Sequence, residues 1–61
     1  MNRVREVMLL KRISQEKLAK MTGIPQGDIS RICNDQKNIY LTTAKKIAKA
    51  LGKSVDYLWP D

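Results

Sequence analysis

Residues 14–31 of the chain read SQEKLAKMTGIPQGDISR. The stretch has helical apolar spacing on both sides of Gly23, Ile24 and Pro25, and glycine and proline are unfavourable inside a helix. An interior glycine costs about 1 kcal/mol and an interior proline about 3 kcal/mol. The stretch therefore predicts two short helices that meet at a tight corner, and not one long helix.

The residues around this corner are those that helix ends need. Ser14 offers a hydroxyl that can cap the first helix, and Gly23 can take the left-handed conformation that stops it. Ile24 precedes a proline and is therefore biased to extended geometry. Pro25 has a fixed φ that suits the first position of a helix, where its missing N–H costs nothing. We expect the second helix to run from Pro25 to about Asn34.

Apolar spacing elsewhere predicts three more helices and no strand, because no segment alternates with a period of two. A fourth helix is expected from Thr42 to Leu51 and ends at Gly52, and Ser54 can cap a short last turn. The residues expected to point inward in the first two helices are Val4, Val7 and Met8, followed by Leu18, Ala19 and Met21. The predicted fold is an all-α, compact five-helix bundle that forms a single domain over residues 1–61.

Composition limits the classes of function. The chain has 61 residues, with 12 Lys or Arg against 6 Asp or Glu, so its formal net charge is +6. This balance favours a polyanionic partner. A single cysteine cannot form an internal disulfide, which fits a reducing cytosol. No apolar run approaches the roughly 20 residues of a membrane span, and VMLL is too short for the core of a secretory signal. We expect a small, basic cytoplasmic protein.

Residues for catalysis or metal binding are not grouped in the sequence. The chain has no histidine, the commonest general base and metal ligand. Cys33 has no histidine to activate it, and the acidic residues lack the spacing of a metal site. Gly23, Gly27 and Gly52 match neither nucleotide-binding fingerprint. We therefore expect no enzyme, no metal site and no cofactor.

The segment QEKLAKMTGIPQGDISRICN, residues 15–34, resembles the helix-turn-helix of the Cro and phage-repressor family, often called the XRE type. The segments ISQEKLA, TGIPQGDISRI and IAKALGKSVDYL also resemble family segments, in the family's order. The resemblance covers nearly the whole chain and implies the phage-repressor DNA-binding fold. It also implies a double-stranded DNA partner, with the second helix of the motif in the major groove.

A helical wheel of that second helix separates an inward from an outward face. Glutamine can pair with adenine and arginine with guanine, and glycine allows close approach. The predicted base-reading residues are Gln26, Gly27, Ser30 and Arg31. A purely solvated role stays open for Ser30 and for Asn34. Asp28 lies to one side of this face, where it can cap the helix or accept a hydrogen bond from cytosine.

The resemblance also implies residues that hold the DNA backbone. The N–H groups at the start of the motif's first helix can bind a phosphate, and the loop after the second helix is another contact region of the family. The predicted backbone contacts are Ser14, Gln15, Asn34, Lys37, Asn38 and Tyr40. Tyr40 can instead pack beneath Leu41. Lys45, Lys46 and Lys49 are expected to form a solvated face that adds only long-range attraction.

One departure from the family concerns the core. Many relatives carry an arginine in the first helix that pairs with a glutamate near the end of the second motif helix. Met8 and Cys33 stand at these positions. Since replacing both partners of a buried ion pair can be neutral or stabilising, we predict an apolar contact between Met8 and Cys33. This makes the cysteine structural and not redox-active.

Relatives of this length commonly form dimers through the last helix and bind half-sites about 34 Å apart. The predicted dimer contacts are Val55, Leu58 and Trp59, with core packing equally open for Leu58. The function implied is a transcriptional repressor that binds a palindromic operator as a dimer at the nucleoid. The alternative is an antitoxin-like or adaptor module that binds a protein partner, which Leu9, Leu10 and Trp59 on one exposed surface would favour.

Overall fold

The computed structural model describes residues 2–36 and 38–60. Over these residues the chain forms helices and no strand, which confirms the predicted all-α class. The helices are α1 (Val4–Lys11), α2 (Gln15–Thr22), α3 (Gln26–Cys33), α4 (Leu41–Leu51) and α5 (Val55–Leu58). Helix α2 packs against both α3 and α4, and α1 packs against the same two helices.

The core lies where the inward faces of these helices meet. It consists of aliphatic and sulfur-containing side chains, with no polar side chain buried among them in the described residues. Its fully or almost fully buried members include Val4, Val7, Leu18, Ile29, Ile47, Leu51 and Leu58. Each buried aliphatic side chain contributes about 1.5–3 kcal/mol of transfer free energy. This core fixes the orientation of α3.

The predicted helix ends are largely present. The Oγ atom of Ser14 accepts a hydrogen bond from the N–H of Lys17 at 3.0 Å, and the Oγ atom of Ser54 accepts from Tyr57 at 3.1 Å. Gly23 and Gly52 end their helices with φ of +75° and +68°. These positive values are the left-handed conformation that glycine adopts without steric cost.

Two helices begin one residue away from their predicted starts. Pro25 was expected at the first position of α3, but it stands at the N-cap, with ψ of 140°. Its carbonyl oxygen accepts from the N–H groups of Asp28 and Ile29 at 3.0 and 3.1 Å. The extended ψ continues the corner that Ile24 begins, so the helical turn starts only at Gln26. Helix α4 begins at Leu41, one residue before the predicted start.

The prediction that Met21 points inward is wrong, because its side chain is 48% exposed. The inward face of α2 is centred on Leu18, which is fully buried, and Met21 lies at the edge of this face. Leu9 and Leu10 on α1 are even more exposed, at 74% each. The core of this small bundle is complete without these three apolar side chains.

The first and last helices are joined directly. The backbone N–H of Arg3 donates to the carbonyl oxygen of Leu58 at 2.8 Å. The guanidinium group of Arg3 and the ammonium group of Lys53 lie 4.7 and 5.1 Å from the centre of the Tyr57 ring. Cations at this distance from an aromatic ring are attracted to its face. The two contacts of Arg3 tie the short helix α5 to the start of α1.

Candidate nucleic-acid interface

The corner between α2 and α3 is built from local hydrogen bonds. The Oγ1 atom of Thr22 donates to the carbonyl oxygen of Leu18 at 2.8 Å and accepts from the N–H of Ile24 at 3.3 Å. The N–H of Gly23 donates to the carbonyl oxygen of Ala19 at 2.8 Å. These bonds satisfy backbone groups that a helix end would otherwise leave unpaired. The chain therefore turns sharply, and α3 projects at an angle from α2.

Helix α3 has one buried and one exposed face, as the helical wheel predicts. Ile29, Ile32 and Cys33 are buried in the core. Gln26, Gly27, Arg31 and Asn34 are exposed, whereas Ser30 is half-buried. No other part of the chain lies within 4 Å of the position that a Cβ atom on Gly27 would take. The first turn of α3 is thus open to a large partner.

Arg31 is held along the surface of its own helix. Its guanidinium Nη1 atom lies 3.2 Å from the Oδ1 atom of Asp28, three residues earlier. The arginine side chain is 62% exposed and that of the aspartate 27%. An exposed pair of this kind is worth less than about 1 kcal/mol. Arg31 can therefore leave Asp28 for a stronger acceptor at small cost.

The C-terminal end of α3 is anchored to the start of the chain by polar contacts. The Nδ2 atom of Asn2 donates to the carbonyl oxygen of Ile32 at 2.7 Å and to the Oδ1 atom of Asp35 at 2.8 Å. The Nη2 atom of Arg5 donates to the Oδ1 atom of Asn34 at 2.6 Å. The amide N–H groups of Asn34 are left to donate elsewhere. Sequence reasoning missed these contacts, because they join residues about thirty positions apart and no local pattern indicates them.

The predicted contact between Met8 and Cys33 is confirmed. The Sδ atom of Met8 lies 3.9 Å from the Sγ atom of Cys33, and both residues are buried. Burial raises the pKa of the Cys33 thiol, while Arg5 lowers it and Asp35 raises it further. The net pKa shift is upward, so the thiol is protonated near neutral pH. Since the thiolate is the reactive form, this cysteine is suited to packing.

The predicted backbone contacts lie at different places around α3. Ser14 is exposed and uses its hydroxyl to cap α2, and Gln15 beside it is half-buried. Both line a shallow cavity of about 260 Å³, together with Arg5, Leu9 and Cys33 among others. The start of α2 and the end of α3 therefore lie close together, around this cavity.

The remaining backbone candidates follow α3. Asn38 and Tyr40 are exposed, and Tyr40 is 78% so. Tyr40 is the N-cap residue of α4, but its side chain makes no capping hydrogen bond. Lys37 lies outside the described residues. The side chains of Asn38 and Tyr40 are therefore accessible to a molecule that binds the exposed face of α3.

The three predicted dimer contacts differ in exposure. Val55 and Trp59 are half-buried and pack against the core from one side. Leu58 is fully buried, so its assignment to a dimer contact is wrong and the core alternative holds. The short helix α5 has one inward side chain, and Leu58 occupies that position. Val55 and Trp59 remain available at the surface.

Within residues 2–36 and 38–60, no three His, Cys, Asp or Glu side chains are placed to hold a metal ion. No helix in that part of the chain is long and apolar enough to cross a bilayer. The surface carries many lysine and arginine side chains, of which Lys20 pairs with Glu16 at 3.6 Å.

The chain matches a known protein family. A family model described as helix-turn-helix matches residues 4–58. The matched region begins with α1 and ends with the last residue of α5, so it includes the corner and α3. No curated protein and no solved structure matched the chain.

Proposed function

Because this chain belongs to the helix-turn-helix family of the Cro and phage-repressor type, it is a DNA-binding transcription regulator, and we propose that it reads one duplex sequence through α3. In this mode the N-terminal part of the second motif helix lies in the major groove, and the first crosses the phosphate backbone. Gln26, Gly27, Ser30 and Arg31 then read base edges.

The observation that carries this proposal is the open outward face of α3. Gln26 and Arg31 are exposed, while Ile29 and Ile32 hold the opposite face in the core. Glutamine can bond adenine N6 and N7 together, and arginine can bond guanine O6 and N7. Gly27 has no Cβ atom, so the backbone of the first turn can come close to the bases.

The backbone contacts proposed for this mode surround α3. Ser14 and Gln15 approach one phosphate at the start of α2, where free N–H groups favour an anion. Asn34, Asn38 and Tyr40 approach phosphates at the other end, and we keep Lys37 as a candidate. With a net charge of +6, log K should fall by about 0.9 per phosphate contact for each unit of log salt.

We further propose that the regulator is a repressor that acts as a dimer in the cytoplasm. Val55 and Trp59 supply the contact between two copies, since both present apolar surface that the core leaves half-exposed. A two-fold dimer positions two copies of α3 about 34 Å apart along one side of the duplex. It therefore prefers a palindromic operator and represses by excluding polymerase from an overlapping promoter.

Selection of bound sequences from a random duplex pool at physiological salt tests this function. We expect enrichment of a palindrome with half-site centres about ten base pairs apart. Enrichment of a single, non-palindromic half-site would contradict the dimer, but it would still support sequence recognition by α3. A pool that stays unenriched, although the protein is folded, would contradict sequence-specific binding.

One observation favours a second candidate, a protein-binding module of the antitoxin or adaptor kind. Leu9 and Leu10 are adjacent on α1 and each 74% exposed. Two neighbouring leucines with that exposure form an apolar patch on a surface that is otherwise rich in charge. Such a module can also bind DNA, so an unenriched pool together with capture of a specific protein through Leu9 and Leu10 would favour it.

A further inference from the structure

A groove of about 460 Å³ runs between the last turn of α2 and the second half of α4. It is lined by Met21, Thr22, Lys46, Lys49 and Ala50. Met21 is the side chain that was expected inside the core and is 48% exposed instead. The groove therefore owes part of its apolar surface to a methionine that the bundle itself does not fully bury.

The chemistry of the groove is cationic and apolar. The hydroxyl group of Thr22 already donates to Leu18 and accepts from Ile24, so it offers little to a partner. Met21 and Ala50 present apolar surface, and Lys46 and Lys49 supply positive charge. None of the lining residues is acidic. The two ion pairs in the described part of the chain, Lys20–Glu16 and Arg31–Asp28, do not involve these lysines.

Lys46 and Lys49 are therefore set apart from Lys45, with which the sequence grouped them as a solvated face. All three are exposed on α4, but only Lys46 and Lys49 line the groove. Successive residues of a helix point about 100° apart, so Lys45 points away from Lys46 and borders the groove on the side of Lys49 without lining it.

We propose that this groove docks an acidic, amphipathic segment of a protein partner, with an aliphatic side chain against Met21 and carboxylates on Lys46 and Lys49. Duplex DNA fits it less well, because phosphates gain nothing from the apolar floor. The start of α2, which carries the proposed phosphate contacts Ser14 and Gln15, is the opposite end of a helix about 10 Å long. The proposed phosphate contacts Ser14 and Gln15 therefore lie outside the groove, at the far end of α2.

Fluorescence anisotropy with a defined probe tests the proposal. The probe is a labelled peptide of about 14 residues, a length at which a helix begins to be stable in water, with leucines on one face and glutamates on the other. A matched peptide carries serine in place of every leucine. We expect the leucine peptide to bind at least about tenfold more tightly, because one buried aliphatic side chain contributes that much affinity.

Three variants of the full chain locate the binding. Lys46→Glu should weaken binding of the leucine peptide by about tenfold, because the attraction between Lys46 and a peptide carboxylate becomes a repulsion. Lys45→Glu makes the same charge change at the neighbouring lysine, which does not line the groove, and should weaken binding of the peptide less than Lys46→Glu does. Met21→Gln removes apolar floor without changing charge, and should reduce the preference for leucine over serine. Thermal unfolding by circular dichroism checks that each variant is folded.

Several outcomes would overturn the proposal. Equal binding of the two peptides, or equal weakening by Lys45→Glu and Lys46→Glu, would mean that only the net charge attracts the probe. If Lys46→Glu weakens binding to duplex DNA more than Lys45→Glu does, and leaves binding of the peptide unchanged, the groove is a DNA-binding surface. If Met21→Gln changes self-association in sedimentation velocity and leaves peptide binding unchanged, the groove is a contact between two copies.

Discussion

The Sγ atom of Cys33 lies 3.9 Å from the Sδ atom of Met8, which links the last turn of α3 to α1. In many relatives an arginine and a glutamate form an ion pair at these positions. Here the two helices meet through polarizable sulfur atoms, and the thiol of Cys33 donates a weak hydrogen bond to the thioether of Met8. The substitution of both partners avoids the cost of a buried, unpaired charge.

Restoring one half of the ion pair should therefore destabilise the fold. Met8→Arg should lower the free energy of unfolding by about 2–4 kcal/mol, because it brings a charge to an almost fully buried site. Met8→Arg combined with Cys33→Glu should recover about 1–3 kcal/mol of the summed losses as coupling energy. Urea denaturation measures the free energy of unfolding of Met8→Arg, of Cys33→Glu and of the double variant. Met8→Leu, which keeps volume and charge, serves as the control and should cost less than about 1.5 kcal/mol. Strictly additive losses would show that the positions do not interact.

The buried thiol should make stability fall at high pH. Burial raises the native pKa of Cys33, whereas the unfolded thiol titrates at about 8.5. The thiol's contribution is therefore fully present below that value, and it is lost as pH rises through the higher native pKa. Urea denaturation from pH 7 upward should show a loss in the wild type that Cys33→Ala lacks. Identical slopes would contradict the native pKa shift.

Two glycines of the motif should respond to alanine with opposite signs. Gly23→Ala should destabilise by about 1–2 kcal/mol, because Gly23 has φ of +75°, where an L side chain is strained. Gly27→Ala should stabilise by up to about 1 kcal/mol, because a helical glycine gains propensity and its Cβ atom meets open space. Thermal unfolding of the free protein compares the pair.

The DNA affinity of the same two variants shows whether each glycine contributes to DNA binding or only to the stability of the fold. If the first turn of α3 approaches the bases as proposed, Gly27→Ala should weaken operator binding despite its greater stability, since it adds a Cβ atom to that turn. Gly23→Ala should leave operator affinity nearly unchanged where the protein is fully folded. Tighter operator binding by Gly27→Ala would remove this residue from the base-reading face.

Arg31 and Asp28 should have opposite effects on DNA binding. Arg31→Ala should cost about 1–3 kcal/mol on the preferred operator and relax the choice at one base position. Asp28→Asn should strengthen binding to every duplex, because it removes a negative charge 3.2 Å from Arg31 and leaves the guanidinium free. Binding titrations on operator and unrelated duplexes give the ratio of affinities. A uniform loss for Arg31→Ala across all sequences would make it a phosphate contact.

The sequence predicted those features that depend on one residue and its near neighbours. Ser14, Gly23, Gly52 and Ser54 each determine a helix end through their own conformation or hydroxyl group, so their roles could be inferred locally. Met21 was misplaced because helical spacing gives a direction but not the width of the face that neighbouring helices cover. The bonds from Asn2 and Arg5 to the end of α3 depend on tertiary packing, which no local pattern encodes. Apolar spacing did not decide between the core and a dimer contact for Leu58, and the packing of α5 against α4 places this side chain in the core.

The hydrogen bond from Arg3 to Leu58 joins residues 55 positions apart (58 − 3), so it forms only after both have been synthesised. Helix α1 leaves the ribosome first, but its opening turn gains its backbone partner only when the last residue of α5 emerges. The nascent chain therefore cannot complete its native structure until α5 has left the exit tunnel. The same proximity means that a short linker from the end of α5 to the start of α1, with new termini in the loop before α4, would give a circular permutant with the same packing.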